Sequence, residues 1–297
     1  MLAGAVPCPA ASDSLQDQIH ADFKAGRGAD AAALLQQEAA KGNPEAQYGL
    51  GILYEKGLPE AKISQDETQA FHWYSLSAQQ GYAPSQNNLG FLYYMGQGTT
   101  KNEAEALGWY EKAAQQGNAM AQYNLGAMYF HGHGAAKDIK KAFELYKQSA
   151  EQGNVTAENN LGFMYEHGLG VIRDFKEAVR WYEQAAKSGQ EYAQRNLGEM
   201  YEHGVGAHRN YAHAFSWYQK AAVQGHAHAQ MKLGRLYEHG WGTTKDLVEA
   251  YAWYWVASEG GNTKAQEALA HLTSQLSAAQ VTEARDRAAH FAMAKKP

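Results

Sequence analysis

The stretch AENNLGFMYEHGLG, residues 157–170, followed by DFKEAVRWYEQAAKSG, residues 174–189, decides the fold because the chain repeats it. Leu-Gly followed three residues later by Tyr recurs at Gly51/Tyr54, Gly90/Tyr93, Gly126/Tyr129, Gly162/Tyr165, Gly198/Tyr201 and Gly234/Tyr237, with glycine spacings of 39, 36, 36, 36 and 36. A second series runs in phase through Trp73-Tyr74, Trp109-Tyr110, Leu145-Tyr146, Trp181-Tyr182, Trp217-Tyr218 and Trp253-Tyr254. A fixed period of this length is the mark of stacked supersecondary units.

Each half of the unit carries helical spacing. Ala121, Leu125, Met128 and Tyr129 fall at i, i+4, i+7 and i+8, and Ala178, Trp181, Tyr182, Ala185 and Ala186 fall at i, i+3, i+4, i+7 and i+8. Both halves are therefore amphipathic helices, A and B. Gly126 and its equivalents lie inside helix A, where Gly costs about 1 kcal/mol relative to Ala, so a close approach of helix B to the backbone is expected there. Gly132-His133-Gly134, Gly168-Leu169-Gly170, Gly204-Val205-Gly206 and Gly240-Trp241-Gly242 follow helix A and read as a left-handed cap and a chain reversal. The first unit carries a three-residue insertion over Leu58 to Ile63.

Composition fits that arrangement. The 297 residues include 30 Gly, 19 Tyr and only 6 Pro, too aromatic for disorder, and the repeats place both the glycines and the tyrosines. A length that would ordinarily give two domains reads here as one elongated array. The net charge of -5, spread without runs, gives no electrostatic footprint for nucleic acid or an anionic membrane. A single cysteine, Cys8, excludes an intramolecular disulfide framework and a thiolate zinc cluster. No apolar run approaches the roughly 20 residues that span a bilayer.

The string Ala-x-x-Asn-Leu-Gly-x-Met-Tyr-x-x-Gly-x-Gly, then Asp138 or Asp174, then Ala-x-x-Trp-Tyr-x-x-Ala-Ala-x-x-Gly, resembles the Sel-one-like repeat, a relative of the tetratricopeptide repeat, over residues 43–272. Leu145 in place of Trp, and Gly49 and Lys232 in place of Asn, depart from it. The resemblance implies an all-α, right-handed superhelical solenoid of antiparallel helix pairs that acts as a scaffold or adaptor in protein complexes. In bacteria such proteins are linked to host interaction, envelope signalling and neutralisation of partner proteins. The chain divides accordingly. Residues 1–12 read as a disordered segment compatible with the trimmed tail of a signal peptide, and 13–42 as a degenerate capping repeat with Leu15, Ile19 and Phe23 on its first helix. Six repeats follow over 43–260. An extra helix and a C-terminal capping helix occupy 261–297, with Ser277 and Gln280 as a capping box and Val281, Ala284, Ala288 and Phe291 as an apolar stripe.

The sequence carries no catalytic constellation. His131, His167, His203 and His239 recur every 36 residues, but stacked helices lie about 10 Å apart, so equivalent histidines cannot share a metal whose ligands sit about 2.1 Å away. His226-x-His228 has no third ligand nearby in sequence. Gly96-Gln97-Gly98-Thr99-Thr100-Lys101 and its copy at Gly240–Lys245 lack the spacing and the preceding strand of a phosphate loop. Glu166, Glu202 and Glu238 sit on equivalent turns, too far apart for an acid/base pair. The expectation is a protein without catalytic residues, metal or cofactor.

Binding residues are sought where the repeats differ, because the fixed positions hold the array together. Three helix A series vary: Tyr48, Asn87, Tyr123, Asn159, Arg195 and Met231; Ile52, Phe91, Ala127, Phe163, Glu199 and Arg235; and Glu55, Tyr94, Phe130, Glu166, Glu202 and Glu238. They lie on one helix face, aromatic in units one to four and charged in units five and six. An aromatic strip rimmed by charge has the character of a protein-binding groove, though the same rings would also serve to pack neighbouring A helices. Trp241 is either an exposed anchor or a residue folded onto the next unit. Asn88, Asn124, Asn160 and Asn196 read either as a ladder to backbone groups of the next helix or as a grip on an extended peptide. The expected partner is a protein or peptide, neither nucleic acid nor membrane, and the chain itself a monomer. An inhibitor or immunity factor for a secreted toxin, and a regulatory or host-facing scaffold, are the two functional readings, ahead of an enzyme. A periplasmic or exported location is expected, with the cytoplasm as alternative.

Overall fold

A computed structural model describes residues 15–293; the expected N-terminal segment 1–12, with Cys8, lies outside them. The described residues form sixteen α-helices and one 3₁₀ turn, Pro59–Ala61, with an isolated antiparallel bridge between Leu58 and Ile63 inside the insertion. The chain divides into two compact units, Met1–Lys137 and Asp138–Pro297, with the division inside the third repeat.

The first unit holds α1 (Leu15–Lys24) and α2 (Gly28–Ala40), then α3 (Pro44–Lys56) and α4 (Glu67–Gln79), α5 (Ala83–Met95) and α6 (Glu103–Gln115), and α7 (Ala119–His131). The second holds α8 (Ile139–Glu151), α9 (Val155–His167), α10 (Phe175–Lys187), α11 (Glu191–His203), α12 (Tyr211–Val223), α13 (Ala227–His239), α14 (Leu247–Glu259), α15 (Thr263–Thr273) and α16 (Ala278–Met293). Helices α3 to α14 are all 13 residues long. Side-chain caps set most of their starts. Asp66, Asn102, Asp138, Asp174, Asn210 and Asp246 accept backbone N–H groups at the N-termini of the B helices. Gly96, Gly132, Gly168, Gly204 and Gly240 end the A helices in the left-handed conformation, as their sequence positions predict.

The glycine inside helix A is a packing point, and the helix it admits belongs to the same repeat. A Cβ on Gly162 would lie 2.7 Å from the Tyr182 ring, and one on Gly198, Gly234 or Gly51 would meet Tyr218, Tyr254 or Tyr74 as closely. These tyrosines are fully buried and cannot retreat, because each hydroxyl is also fastened: Tyr182 donates to Glu166 Oε2 at 2.7 Å, Tyr218 to Glu202 at 2.6 Å, Tyr254 to Glu238 at 2.7 Å and Tyr74 to Glu55 at 2.7 Å. Gly162→Ala is accordingly expected to destabilise the second unit by about 2 kcal/mol, overpacking outweighing the roughly 1 kcal/mol gained in helix propensity. A urea midpoint at or above that of the parent chain would contradict this packing role.

Both ends of the array behave as terminal cover. Ala32, Leu35 and Ala39 are buried on α2, with Leu15 and Ile19 of α1 packed against that cluster, while Phe23 is exposed. At the other end Ser277 N–H donates to Gln280 Oε1 at 3.0 Å and Gln280 N–H to Ser277 Oγ at 3.3 Å, the reciprocal capping box. Ala284 and Ala288 of α16 are buried against Tyr251 and Tyr254 of α14, and Phe291 stacks on Trp253 with ring centroids 4.1 Å apart.

Candidate functional site

In the first unit, α3, α5 and α7 place their variable positions around two openings. A cavity of about 480 Å³ is lined by Ile19, Phe23, Leu35, Tyr48, Ile52 and Tyr82, among others. A smaller one, about 170 Å³, lies between α5 and α7 and is lined by Phe91, Tyr94, Tyr123, Asn124, Ala127, His131 and His133. Phe91 is 45% exposed at its edge. Tyr94 packs edge-on to His133 at 5.8 Å, and Phe130 to His131 at 5.1 Å, so these rings are half-buried. Tyr48 leans edge-on to Tyr82 at 5.5 Å and lies 5.8 Å from the Tyr74 ring. Several rings of the strip thus pack on one another, while Phe91 is exposed beside the smaller opening.

In the second unit the variable positions are polar apart from Phe163 and Met231. A cavity of about 350 Å³ is lined by Asn159, Asn160, Phe163, Glu166, His167, Tyr192, Arg195, Asn196 and Glu199. Phe163 is 39% exposed and lies 4.2 Å from the His167 ring. Beside it the charges neutralise one another. Glu199 accepts from Arg195 at 3.0 Å and lies 3.0 Å from His228 Nε2. Burial opposes the charge on Glu199, but the His228 ring and the Arg195 guanidinium outweigh it and hold the carboxyl well below the usual carboxylate range.

Three expectations about side chains are corrected. Glu202 does not face a groove: it is 4% exposed and accepts from Tyr218, from Lys232 at 3.1 Å and from Arg235. Arg235 is thereby tied to Glu202, although its side chain keeps 36% of its surface exposed. Asn87 is buried, and its amide is used internally: it donates to Asn88 Oδ1 at 3.1 Å and accepts from Asn124 at 2.9 Å. Asn196 likewise donates to Asn159 Oδ1 at 3.1 Å. Asn124 and Asn196 thus bond side chain to side chain with the preceding repeat, rather than to backbone. Trp241 folds onto the preceding unit, not the next: it stacks on Tyr211 of α12 at 5.3 Å and lies tilted against His239 at 4.5 Å, with the Arg235 guanidinium 5.8 Å away, and remains 37% exposed.

A glutamine series goes unread in the sequence, because binding residues are sought there only where the repeats differ and this series is nearly invariant. Gln86, Gln194 and Gln230 donate to the carbonyls of Ala78, Ala186 and Ala222, at 3.2, 3.1 and 3.0 Å, stitching helix A to the preceding helix B. The tyrosine–glutamate pairs do leave a signal: each glutamate precedes its tyrosine by 16 residues, and by 19 in the first repeat, where the three-residue insertion intervenes. Among the described residues no three His, Cys, Asp or Glu side chains are grouped to hold a metal ion, and no helix is long and apolar enough to cross a membrane. His131, His167, His203 and His239 are all exposed.

Comparison with known proteins agrees with the repeat geometry. The chain is similar over 95% of its length to a protective antigen of uropathogenic Escherichia coli with an SLR fold, at 33% identity and a TM-score of 0.80; it spans 63% of that protein's length. A Sel1 repeat protein from Oxalobacter formigenes is also 33% identical, with a TM-score of 0.72 over 83% of this chain and 97% of the other. An immunity protein from Pseudomonas aeruginosa is similar at 22% identity and a TM-score of 0.45, over 73% of this chain and 81% of that one. No curated protein matches. The Sel1 repeat model matches residues 44–82, 83–118, 119–154, 155–190, 191–226 and 227–262, and the chain belongs to the Sel1 repeat family.

Proposed function

We propose that this Sel1 repeat scaffold is a non-catalytic adaptor that captures a protein or peptide on the aromatic strip of α3, α5 and α7. The observation that carries this reading is Phe91, outward-facing beside an opening walled by Tyr94, Tyr123 and Ala127 with no carboxylate or ammonium in its lining. Such a place suits an uncharged anchor side chain of the partner, since aromatic residues around a desolvated pocket carry most of the energy at protein interfaces. The charges of Arg195, Glu199, Lys232, Glu202 and Arg235 are paired within the chain and offer a partner less. Asn159 and Phe163 line a second, weaker surface in the other unit.

Capture of this kind neutralises a toxin or effector in one form and holds a complex together in the other. The likeness to a protective antigen favours an exported, host-facing scaffold, the second form, with a cytoplasmic role as the alternative. Affinity capture with the purified chain tests the site. Phe91→Ala is expected to weaken retention of the partner about 30-fold, corresponding to about 2 kcal/mol at an interface hot spot, whereas Phe163→Ala has the smaller effect. A partner held equally by the parent chain and Phe91→Ala would sink the assignment to this strip.

A further inference from the structure

The glutamine stitch has one defect, and it lies in the fourth repeat. Positions 47, 86, 122, 194 and 230 are Gln, and each Gln amide donates to the carbonyl of the residue eight before it. In the first, second and fifth repeats the Gln oxygen in turn accepts from a second glutamine at the end of helix B: Gln80 to Gln47 and Gln116 to Gln86 at 2.7 Å, and Gln224 to Gln194 at 2.8 Å. The fourth repeat changes both members. Glu158 replaces the first Gln and Ser188 the second, and the Ser188 hydroxyl turns to its own helix at Gln184 O, 3.3 Å away. Glu158 is 6% exposed, and its Oε2 is buried with no hydrogen-bond partner among the described residues.

A carboxylate in this place has no proton for the Ala150 carbonyl that the equivalent amide would reach, and receives none from Ser188. A carboxylic acid can donate where the amide did, and carries no charge to desolvate. We infer that the fourth repeat is a pH-responsive joint: neutral Glu158 closes the seam between α8, α9 and α10, and its ionisation loosens it.

The surroundings support this. In the last turns of α8 and α10 the charged groups are Lys147 and Glu151, and Glu183 and Lys187. Lys187 is engaged with Glu183 at 3.5 Å, and none of the four supplies Glu158 with a countercharge. Burial alone raises its carboxyl above the ordinary 4.5. The sign follows from linkage. A folded-state value above the unfolded one gives stability that is present in full below pH 4.5 and is lost as pH rises through the folded value.

Thermal unfolding of the parent chain and Glu158→Gln between pH 4 and 8 tests the joint. Glu158→Gln is expected to unfold about 3 °C higher at pH 7.5, with the gap closing toward pH 4.5. A gap independent of pH, or none at pH 7.5, would overturn the inference. Carbon-detected NMR titration of the Glu158 carboxyl gives a separate reading on the parent chain: a midpoint above 4.5 supports the joint, and one at or below 4.5 refutes it.

Discussion

Glu202→Gln is expected to lower the stability of the second unit by about 3 kcal/mol, although it changes one atom and leaves the shape of the side chain intact. Glu202 accepts from Tyr218 at 2.6 Å, from Lys232 at 3.1 Å and from Arg235, and is itself 4% exposed. The amide can still accept from Tyr218, so that bond survives in the variant. What is lost is the charge opposite Lys232, whose side chain is 11% exposed, and Arg235, whose side chain is 36% exposed. Arg235 regains water and contributes little to the loss; Lys232 does not, and a buried ammonium without a counterion is the dominant cost. The double variant Glu202→Gln with Lys232→Asn isolates that term. Asparagine is the residue at the equivalent positions 88, 124, 160 and 196. The double variant is therefore expected to recover about half of the loss in a urea titration, a coupling that separate, non-interacting sites would not show. Strictly additive losses would mean that the Lys232–Glu202 pair is not what the carboxylate stabilises.

That pair shows where sequence reading reaches and where it stops. The fold was legible because its determinants are repeated: Leu-Gly-x-x-Tyr, Trp-Tyr and the glycine connectors recur in register, and each copy confirms the others. The function of Gly162 was legible as a close approach, since a residue that costs helix stability six times over requires a packing reason. Which side chain approached it was not, because Tyr182 and Trp181 are neighbours on the same helix and only the three-dimensional angle between helices distinguishes them. At the variable positions the logic reverses. Phe91 and Glu202 both varied between repeats and both read as surface, yet Phe91 is 45% exposed and Glu202 is 4% exposed. The difference lies in partners thirty or so residues away, Lys232 and Arg235 of the next repeat, which no pattern along one helix connects to Glu202. Glu158 is the opposite failure. It is a one-atom departure from an otherwise constant series, and it gains meaning only when the constant residue is seen bonded to the preceding helix.

Gly206→Ala is expected to be as costly as the loss of Glu202, and for a reason the adjacent turns allow to be separated. Gly206 has φ +71°, and a Cβ there would lie 2.2 Å from Phe175 O, 2.6 Å from Phe175 C and 3.0 Å from Val179 Cγ2. Two penalties therefore combine. A left-handed alanine costs about 1–2 kcal/mol wherever it stands. The contact with Phe175 adds to it, because the obstructing atoms are backbone in the first turn of α10. That turn is itself held by Asp174, which accepts from the N–H groups of Lys176 at 2.9 Å and Glu177 at 3.1 Å. Moving Phe175 O aside means disturbing that cap. Gly189 supplies the comparison: it has φ +91° with nothing within 4 Å of its would-be Cβ. Gly189→Ala should therefore show the conformational penalty by itself, about 1 kcal/mol, and Gly206→Ala about 3 kcal/mol, the excess measuring how tightly the connector of one repeat is pressed on helix B of the preceding one. Urea unfolding of the two variants side by side decides the matter. Equal losses would reduce the second connector glycine to a turn residue, whereas a clear excess at Gly206 makes it a contact between repeats, with the strict Gly-x-Gly spacing as its trace in the sequence.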